Sequence, residues 1–401
     1  MDTVESEKRG FPILVFLVVL ITLGLVGVFG WRFWSRSTNP RAVSRTTEIR
    51  ETSAIPLIKP TESKKSLART DLGDISAKLN LQSILLTGAG TQGLAVDGET
   101  GLVYAGNTGN TISKCDPGDV QERPGRNTMS VIDPAKGIEL ARVPTDDGPI
   151  WPIVDPNRDV VYMANSGGKG TISIHEKGTG IKLESIQLGG MPHAAGVLDN
   201  ILVVSNTNDK SQTYYAAINL ETRKLIAHHP SPKFPHPVVV DAEEKLAYMM
   251  GVEAAEVVVI DMTTGQPKET FTLEGGAGQL LLSKKYGKIL TDSSQPGTAV
   301  AIFDLKTKKQ LSAFGFSSLN APGTGLALDE DSGLAFVVVA DKNAIGLFDI
   351  EAMQPVGYFT VGTCPYGIRL DPERGKGYVT NSGDNTLTVF AIKEVVAAIS
   401  K

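Results

Sequence analysis

The sequence predicts an all-β fold, a seven-bladed β-propeller, preceded by one transmembrane helix. Short apolar runs separated by turn residues recur along residues 78–401, which is the pattern of strands joined by hairpins. After the first unit, these runs are spaced about 42–46 residues apart, the period of a four-stranded propeller blade. A single uncharged apolar run, Phe11–Gly30, comes before them and is long enough to cross a bilayer.

The clearest copy of the repeat is the last one, residues 364–392. Its first strand ends in GIRLD, a Pro/Gly turn leads to GYVTN, and the polar turn SGDN leads to TLTVFAI. The equivalent first strands end, unit by unit, at Asp97, Asp155, Leu198, Asp241, Ser283, Asp329 and Asp371. Seven units therefore predict seven blades.

The last unit lacks the fourth strand that the inner units have, since only KEVVAAISK follows its third strand. A segment with the pattern of a fourth strand, Leu79–Gly88, lies before the first unit instead. We expect this N-terminal strand to close the last blade, because closure of the ring removes the two open sheet edges.

Two second-strand motifs link the chain to a known repeat. Residues 378–381 spell YVTN, and YMANSGGKGTISI begins at Tyr162. The chain here resembles the YVTN β-propeller repeat family, over about four-fifths of its length, although the second strands of blades four to six depart from the motif. The resemblance implies a seven-bladed, extracytoplasmic binding, surface-layer or accessory protein. Related propellers include enzymes.

The N-terminal 77 residues divide into three segments. Residues 1–10 form a short tail, 11–34 a transmembrane anchor that ends in interfacial aromatic residues, and 35–77 a polar, flexible stalk. A cleaved signal peptide is the alternative, but its apolar region usually spans only about 7–15 residues. We therefore expect an uncleaved signal-anchor and a single-pass membrane protein.

The side of the membrane that the propeller occupies is harder to predict. Arginines follow the span closely, at Arg32, Arg36, Arg41 and Arg45. The positive-inside rule then favours a cytoplasmic propeller, although long domains can translocate despite such charges. The family resemblance implies the opposite side, and we expect the propeller to be extracytoplasmic, in the periplasm or outside the cell.

The channel mouth is where the sequence predicts a ligand site. First strands line the channel of a propeller, and their opening residues face one mouth. Counting back five positions from the ends of the first strands gives a row of mouth residues, and Trp151 lies one place beyond that row. The predicted ligand-binding residues are Gln92, Trp151, His193, His236, Thr324 and Tyr366.

His193 and His236 occupy the same position in neighbouring blades three and four, in the contexts MPHAAG and FPHPVV. They fit a metal site or a proton-transfer pair, or polar linings of the channel. The mouth row holds no carboxylate to complete a metal set, and two histidines are too few ligands for zinc. We therefore expect no metal and no cofactor, and we assign no catalytic residue.

The two cysteines offer a second test of topology. Cys115 lies in a long polar insert between the second and third strands of blade one, and Cys364 precedes blade seven. These blades are neighbours in a closed ring, so the cysteines can form a disulfide at the closure seam, which requires an oxidising compartment. The alternative is two unrelated thiols.

Function follows less directly than fold. The net charge of −5 offers no basic excess for nucleic acid, so no nucleic-acid partner is expected. A membrane-tethered propeller that binds an unknown protein or small molecule through its channel face fits the pattern best. The alternative is a lactonase-like propeller hydrolase or lyase that uses the mouth histidines.

Overall fold

The computed structural model describes residues 73–109, 125–207, 212–251, 255–276, 278–292, 300–314 and 325–400. All of them belong to one compact unit, residues 67–401. The strands of this part of the chain form seven four-stranded sheets, the blades, in agreement with the predicted propeller.

Each blade is a meander that runs outward from the channel. The first strand in the chain, β1 (Gln82–Leu85), belongs to blade seven. Blades one to three contain β2 (Thr91–Val96), β3 (Val103–Asn107), β4 (Thr128–Asp133) and β5 (Ile138–Pro144); β6 (Pro149–Val154), β7 (Val160–Asn165), β8 (Thr171–Glu176) and β9 (Lys182–Gln187); and β10 (Met191–Leu198), β11 (Ile201–Thr207), β12 (Thr213–Asn219) and β13 (Lys224–Pro230).

The remaining blades repeat this order. Blades four to seven contain β14 (Pro235–Asp241), β15 (Leu246–Gly251), β16 (Glu256–Asp261) and β17 (Pro267–Thr272); β18 (Leu280–Ser283), β19 (Lys288–Asp292), β20 (Val300–Asp304) and β21 (Gln310–Phe314); β22 (Leu326–Asp329), β23 (Leu334–Val339), β24 (Ala344–Asp349) and β25 (Gln354–Thr360); and β26 (Pro365–Asp371), β27 (Lys376–Asn381), β28 (Thr386–Ala391) and β1. A C-terminal helix, α1 (Ile392–Ile399), follows β28.

Burial along the strands explains why they read as they do in sequence. Inner strands are covered by a neighbouring blade on each face, so β3 is buried at every residue and is apolar apart from its last side chain. Fourth strands form the outer rim, and the residues of β5 alternate between exposed and half-buried. The apolar core therefore lies between blades, where residues such as Phe336 of blade six and Phe390 of blade seven stack with ring centroids 5.3 Å apart.

The ring closes as the sequence predicts. β1 pairs antiparallel with β28, with Gln82 opposite Val389 and Leu85 opposite Thr386. The chain just before β1 also contacts blade six, since the Ile75 N–H donates to the Tyr358 carbonyl at 2.9 Å. The N-terminal segment thus joins the last two blades. Its contact at Ile75 lies within residues 35–77, the segment predicted to be the stalk.

The predicted anchor lies outside the described residues. In the part of the chain that the structure describes, no helix has both the length and the apolar character needed to span a membrane. Residues 1–72, which include Phe11–Gly30, are not among the described residues, so the anchor and the topology remain predictions.

Candidate functional site

The first strands are irregular at the channel mouth, and the irregularity sets the direction of the predicted side chains. The pairing register shifts between Pro192 and Ala195 in β10 and between Pro235 and Val238 in β14. His193 and His236 follow those prolines and lie within the bulges. A β-bulge takes a residue out of the regular strand pairing and changes the direction of its side chain. The same irregularity therefore sets the direction of both histidine side chains. The equivalent shift in β26 follows Pro365 and contains Tyr366.

Four of the predicted residues form one chain of aromatic rings. The ring centroids of His193 and His236 are 5.6 Å apart, and the His236 ring meets Trp151 edge-on at 6.5 Å. On its other side, Trp151 lies 6.0 Å from the Tyr366 ring. These are normal separations for interacting rings. We call Trp151, His193, His236 and Tyr366 the ring cluster.

A glycine in the neighbouring blade makes room for the indole. A Cβ atom at Gly93 of β2 would collide with the Trp151 ring. Trp151 itself is 5% exposed, and its Nε1–H has no hydrogen-bond partner among the described residues. A buried polar group without a partner is uncommon in folded proteins, which makes this N–H one of the unusual features of the mouth.

Next to the ring cluster, the channel contains a cavity of about 260 Å³ that Trp151 and His236 help to line. Its wall comes mainly from the first strands, and one row of lining residues lies two positions before each strand-ending residue. In five of the blades this row supplies Ile153, Val239, Leu281, Ala327 and Arg369. Arg369 is the exception in the row, because the other members are aliphatic.

The Arg369 guanidinium lies against the ring cluster. Its central carbon is 5.2 Å from the centroid of the Trp151 ring, a cation–π arrangement. Nη1 donates a hydrogen bond of 2.8 Å to the Ile368 carbonyl. Burial lowers the pKa of Arg369 to about 10, which leaves the side chain charged at neutral pH. The sequence prediction did not include this residue.

A carboxyl group, Asp292, also lies at the mouth. It ends β19, and its Oδ1 accepts the backbone N–H of Gln279, a cavity-lining residue, at 2.6 Å. Asp292 is buried, its pKa is raised well above the usual value by desolvation, and its charge helps raise the pKa of Tyr366, which burial brings to about 12. The mouth row of first-strand residues holds no carboxylate, but the end of the second strand of blade five brings Asp292 to the same mouth.

The two histidines are held in their neutral form. Burial lowers the pKa of His193, and burial together with the nearby His193 lowers the pKa of His236 to about 3. Neutral imidazoles can donate and accept hydrogen bonds but add no charge to the mouth. Within the described ranges, no group of three His, Cys, Asp or Glu residues is arranged to hold a metal ion.

The structure does not bring every predicted residue into the ring cluster. Gln92 sits in the bulge of β2, where its amide donates to the Thr108 hydroxyl at 3.2 Å, and it is not among the cavity-lining residues. Thr324 lies outside the described residues. Gln92 and Thr324 therefore remain predictions, as does their share in ligand binding.

Only one of the two cysteines, Cys364, lies among the described residues. Cys364 is buried directly before β26 and is disulfide-bonded in the structure. Its backbone has a φ of 52°, and its N–H donates to Asn343 Oδ1 at 2.8 Å. Cys115, the other cysteine of the sequence, lies outside the described residues, and its pairing with Cys364 stays a prediction.

Comparisons with known proteins support the fold but do not indicate the function. No protein-family model and no curated protein matches the chain. Among solved structures, a chain of Kuenenia stuttgartiensis hydrazine synthase is similar, with a TM-score of 0.63 and 14% sequence identity over 77% of this chain and 97% of that one. At this identity the similarity shows a shared fold alone, so the function of this chain rests on its own residues.

Proposed function

We propose that this protein is a ligand-binding propeller that takes a small molecule into the central cavity at the ring cluster. The observation that carries the proposal is the convergence of Trp151, His236 and Arg369 on one cavity of about 260 Å³. An apolar concavity with a few converging polar groups is the usual form of a small-molecule site. The propeller fold supports a binding or scaffold role in general, and the resemblance to YVTN-repeat proteins is consistent with it.

Filling the cavity tests this proposal. Ala194 lines the cavity but is not part of the apolar clusters between blades, so Ala194→Leu should remove space at little cost to the fold. Small molecules that co-purify with the full-length protein are released by denaturation and compared by mass spectrometry. We expect a compound bound to the wild type and to Ala135→Leu, a control in an exposed turn, and lost from Ala194→Leu. Equal retention by all three proteins would contradict a cavity site.

We further propose that Phe11–Gly30 anchors the propeller on the extracytoplasmic side. Support comes from the length of this uncharged run and from the family resemblance. A reporter enzyme that is active only outside the cytoplasm, fused after Lys401, should be active in a bacterial host. An active cytoplasmic reporter in the same position would instead favour the orientation that the arginines after the span indicate.

The Cys115–Cys364 disulfide belongs to the same proposal. A bridge between the blade-one insert and the start of blade seven would link the ends of the ring and could contribute about 2–4 kcal/mol to stability. Peptide mapping without reductant should find the two cysteines in one linked peptide pair after expression outside the cytoplasm. Recovery of both as free thiols from that compartment would contradict the bridge.

A hydrolase or lyase that uses the mouth histidines is the second candidate. The separation of 5.6 Å between the rings of His193 and His236 favours it, because both could reach one substrate. Against it, a general base works best with a pKa near the working pH, and that of His236 is lowered to about 3. Measuring lactone and ester hydrolysis by wild type, His193→Gln and His236→Gln separates the two functions. Turnover by the wild type that is lost in both variants would favour the hydrolase or lyase over the ligand-binding protein.

A further inference from the structure

The charge of the cavity is the feature that points beyond simple binding. Among the described residues that line it, Arg369 alone carries a permanent charge. The other members of its row, Ile153, Val239, Leu281 and Ala327, present aliphatic or methyl groups. A charged residue in such a row is costly for folding, so its presence calls for a reason.

No described residue compensates that charge. The ion pairs within the described ranges do not include Arg369. Among the described residues, its one hydrogen bond is to the Ile368 carbonyl. The Trp151 ring face offers a weak attraction at 5.2 Å but no counter-charge. A guanidinium that keeps free N–H donors in a partly desolvated pocket is suited to bind a carboxylate, which accepts two parallel hydrogen bonds.

We infer that the cavity binds a small monocarboxylate with an apolar body, held at its charged end by Arg369. This inference rests on the proposed function and adds the chemical class of the ligand. The apolar body fits the aliphatic row and the indole of Trp151. The size fits too, since about 260 Å³ is slightly below the range of roughly 300–1,000 Å³ for drug-sized ligands.

The neighbouring ionisable groups favour one negative charge over two. His193, His236, Tyr366 and Asp292 are all shifted toward their neutral forms by burial. These described groups of the mouth therefore supply hydrogen bonds but no second cation. A doubly charged ligand would leave one charge unmatched in a desolvated site, and a cationic ligand would face Arg369 directly.

The test uses the fluorescence of Trp151 in the full-length protein. Besides Trp151 the chain holds two tryptophans, Trp31 and Trp34, and the W31F and W34F changes leave Trp151 as the sole emitter. The probes are benzoate and cyclohexanecarboxylate, each paired with its neutral amide of nearly equal shape. We expect saturable changes with the carboxylates and binding that is weaker by about tenfold or more for the amides, the loss of one charge-assisted interaction.

Variants of Arg369 give a second, independent measure. Arg369→Met should weaken carboxylate binding by about tenfold or more while leaving amide binding nearly unchanged, and Arg369→Lys, which keeps the charge but not the fork, should fall between. Arg142→Met, on the outer strand β5, makes the same charge change away from the cavity and should behave as wild type. Because the comparison of carboxylate with amide needs only the parent protein, poor folding of a variant leaves the test intact.

Two outcomes overturn the inference in different ways. If the amides bind the cavity as tightly as the carboxylates, or if Arg369→Met binds carboxylates normally, the ligand is not an anion held by Arg369, and cavity binding itself stands. If none of the four probes produces a saturable change, the carboxylate site is refuted. Loss of the co-purified compound in Ala194→Leu would still support the cavity as the binding site in that case.

Discussion

Blade five differs from blades one, two and seven at the end of the second strand. In those three blades the strand ends in asparagine, opposite a threonine of the third strand. The amide Nδ2 donates to that threonine and to the hydroxyl two residues further on; for Asn381 both distances are 2.9 Å, to Thr386 and Thr388. We call this arrangement the asparagine clasp.

In blade five the same position is Asp292, and the opposite residue is Val300. The next residue on that face of the third strand is Ile302, so blade five offers no hydroxyl at either place. Asp292 instead accepts the N–H of Gln279, the residue directly before the first strand of its blade. A structural position of the repeat can thus be redirected to the channel mouth when its partners are replaced together.

The largest effect is expected from breaking a clasp. Asn381→Ala removes two hydrogen bonds and leaves the buried Thr388 hydroxyl without its partner, whereas Thr386 keeps its hydrogen bond to Asp384. Leaving a buried polar group unsatisfied costs about 1–3 kcal/mol, so we expect a loss of about 1–3 kcal/mol in the free energy of unfolding. Chemical denaturation measures it. A loss below about 0.5 kcal/mol would mean that the clasp does not support the blade.

Lowering the pH should change the stability that the channel mouth contributes but not that of the asparagine clasps, because asparagine and threonine side chains do not titrate. The pKa of His236 is lowered from 6.5 to about 3, so the unfolded chain takes up a proton at a pH where the folded protein does not. Its contribution to stability is then complete above pH 6.5 and is lost as the pH falls toward 3. Between neutral pH and pH 5, the free energy of unfolding should therefore fall by up to about 2 kcal/mol more in the wild type than in His236→Gln. Identical stability–pH curves for wild type and variant would contradict a desolvated histidine.

The smallest effect is expected from Asp292→Asn. Burial raises the pKa of Asp292, so the unfolded carboxyl loses its proton at a lower pH than the folded one. Stability should fall as the pH rises above about 4 in the wild type but not in the variant. Asparagine keeps an oxygen for the Gln279 N–H, and we expect a gain on the order of 1 kcal/mol near neutral pH. Thermal unfolding at pH 4 and pH 8 checks it, and destabilisation at pH 8 would indicate that the carboxylate is needed for folding.

Much of the fold could be predicted because the same pattern of strands and turns recurs along the chain. Turn residues at blade spacing predicted the seven sheets, and the strand missing after blade seven predicted the closure by β1. The alignment of first strands also found the ring cluster, since His193, His236 and Tyr366 share one bulged position.

Two residues of the site were missed for different physical reasons. Asp292 reaches the mouth from a second strand, and its signal is an acid where blades one, two and seven carry asparagine. Arg369 lies three residues deeper than Tyr366 on the same strand, and its signal is a charge in an otherwise aliphatic row. Both signals are departures from the repeat. An alignment that seeks the shared pattern therefore passes over them.

The most direct test of the account compares ligand binding in the filled cavity and in the broken clasp. Trp151 fluorescence, in the W31F and W34F background, is titrated with benzoate and benzamide in the parent protein, in Ala194→Leu and in Asn381→Ala at a temperature where all three are folded. The account predicts saturable binding of at least one compound to the parent and to Asn381→Ala, and none to Ala194→Leu. Unchanged binding in Ala194→Leu would contradict a ligand site in the central cavity, and no saturable binding in the parent would contradict the carboxylate site.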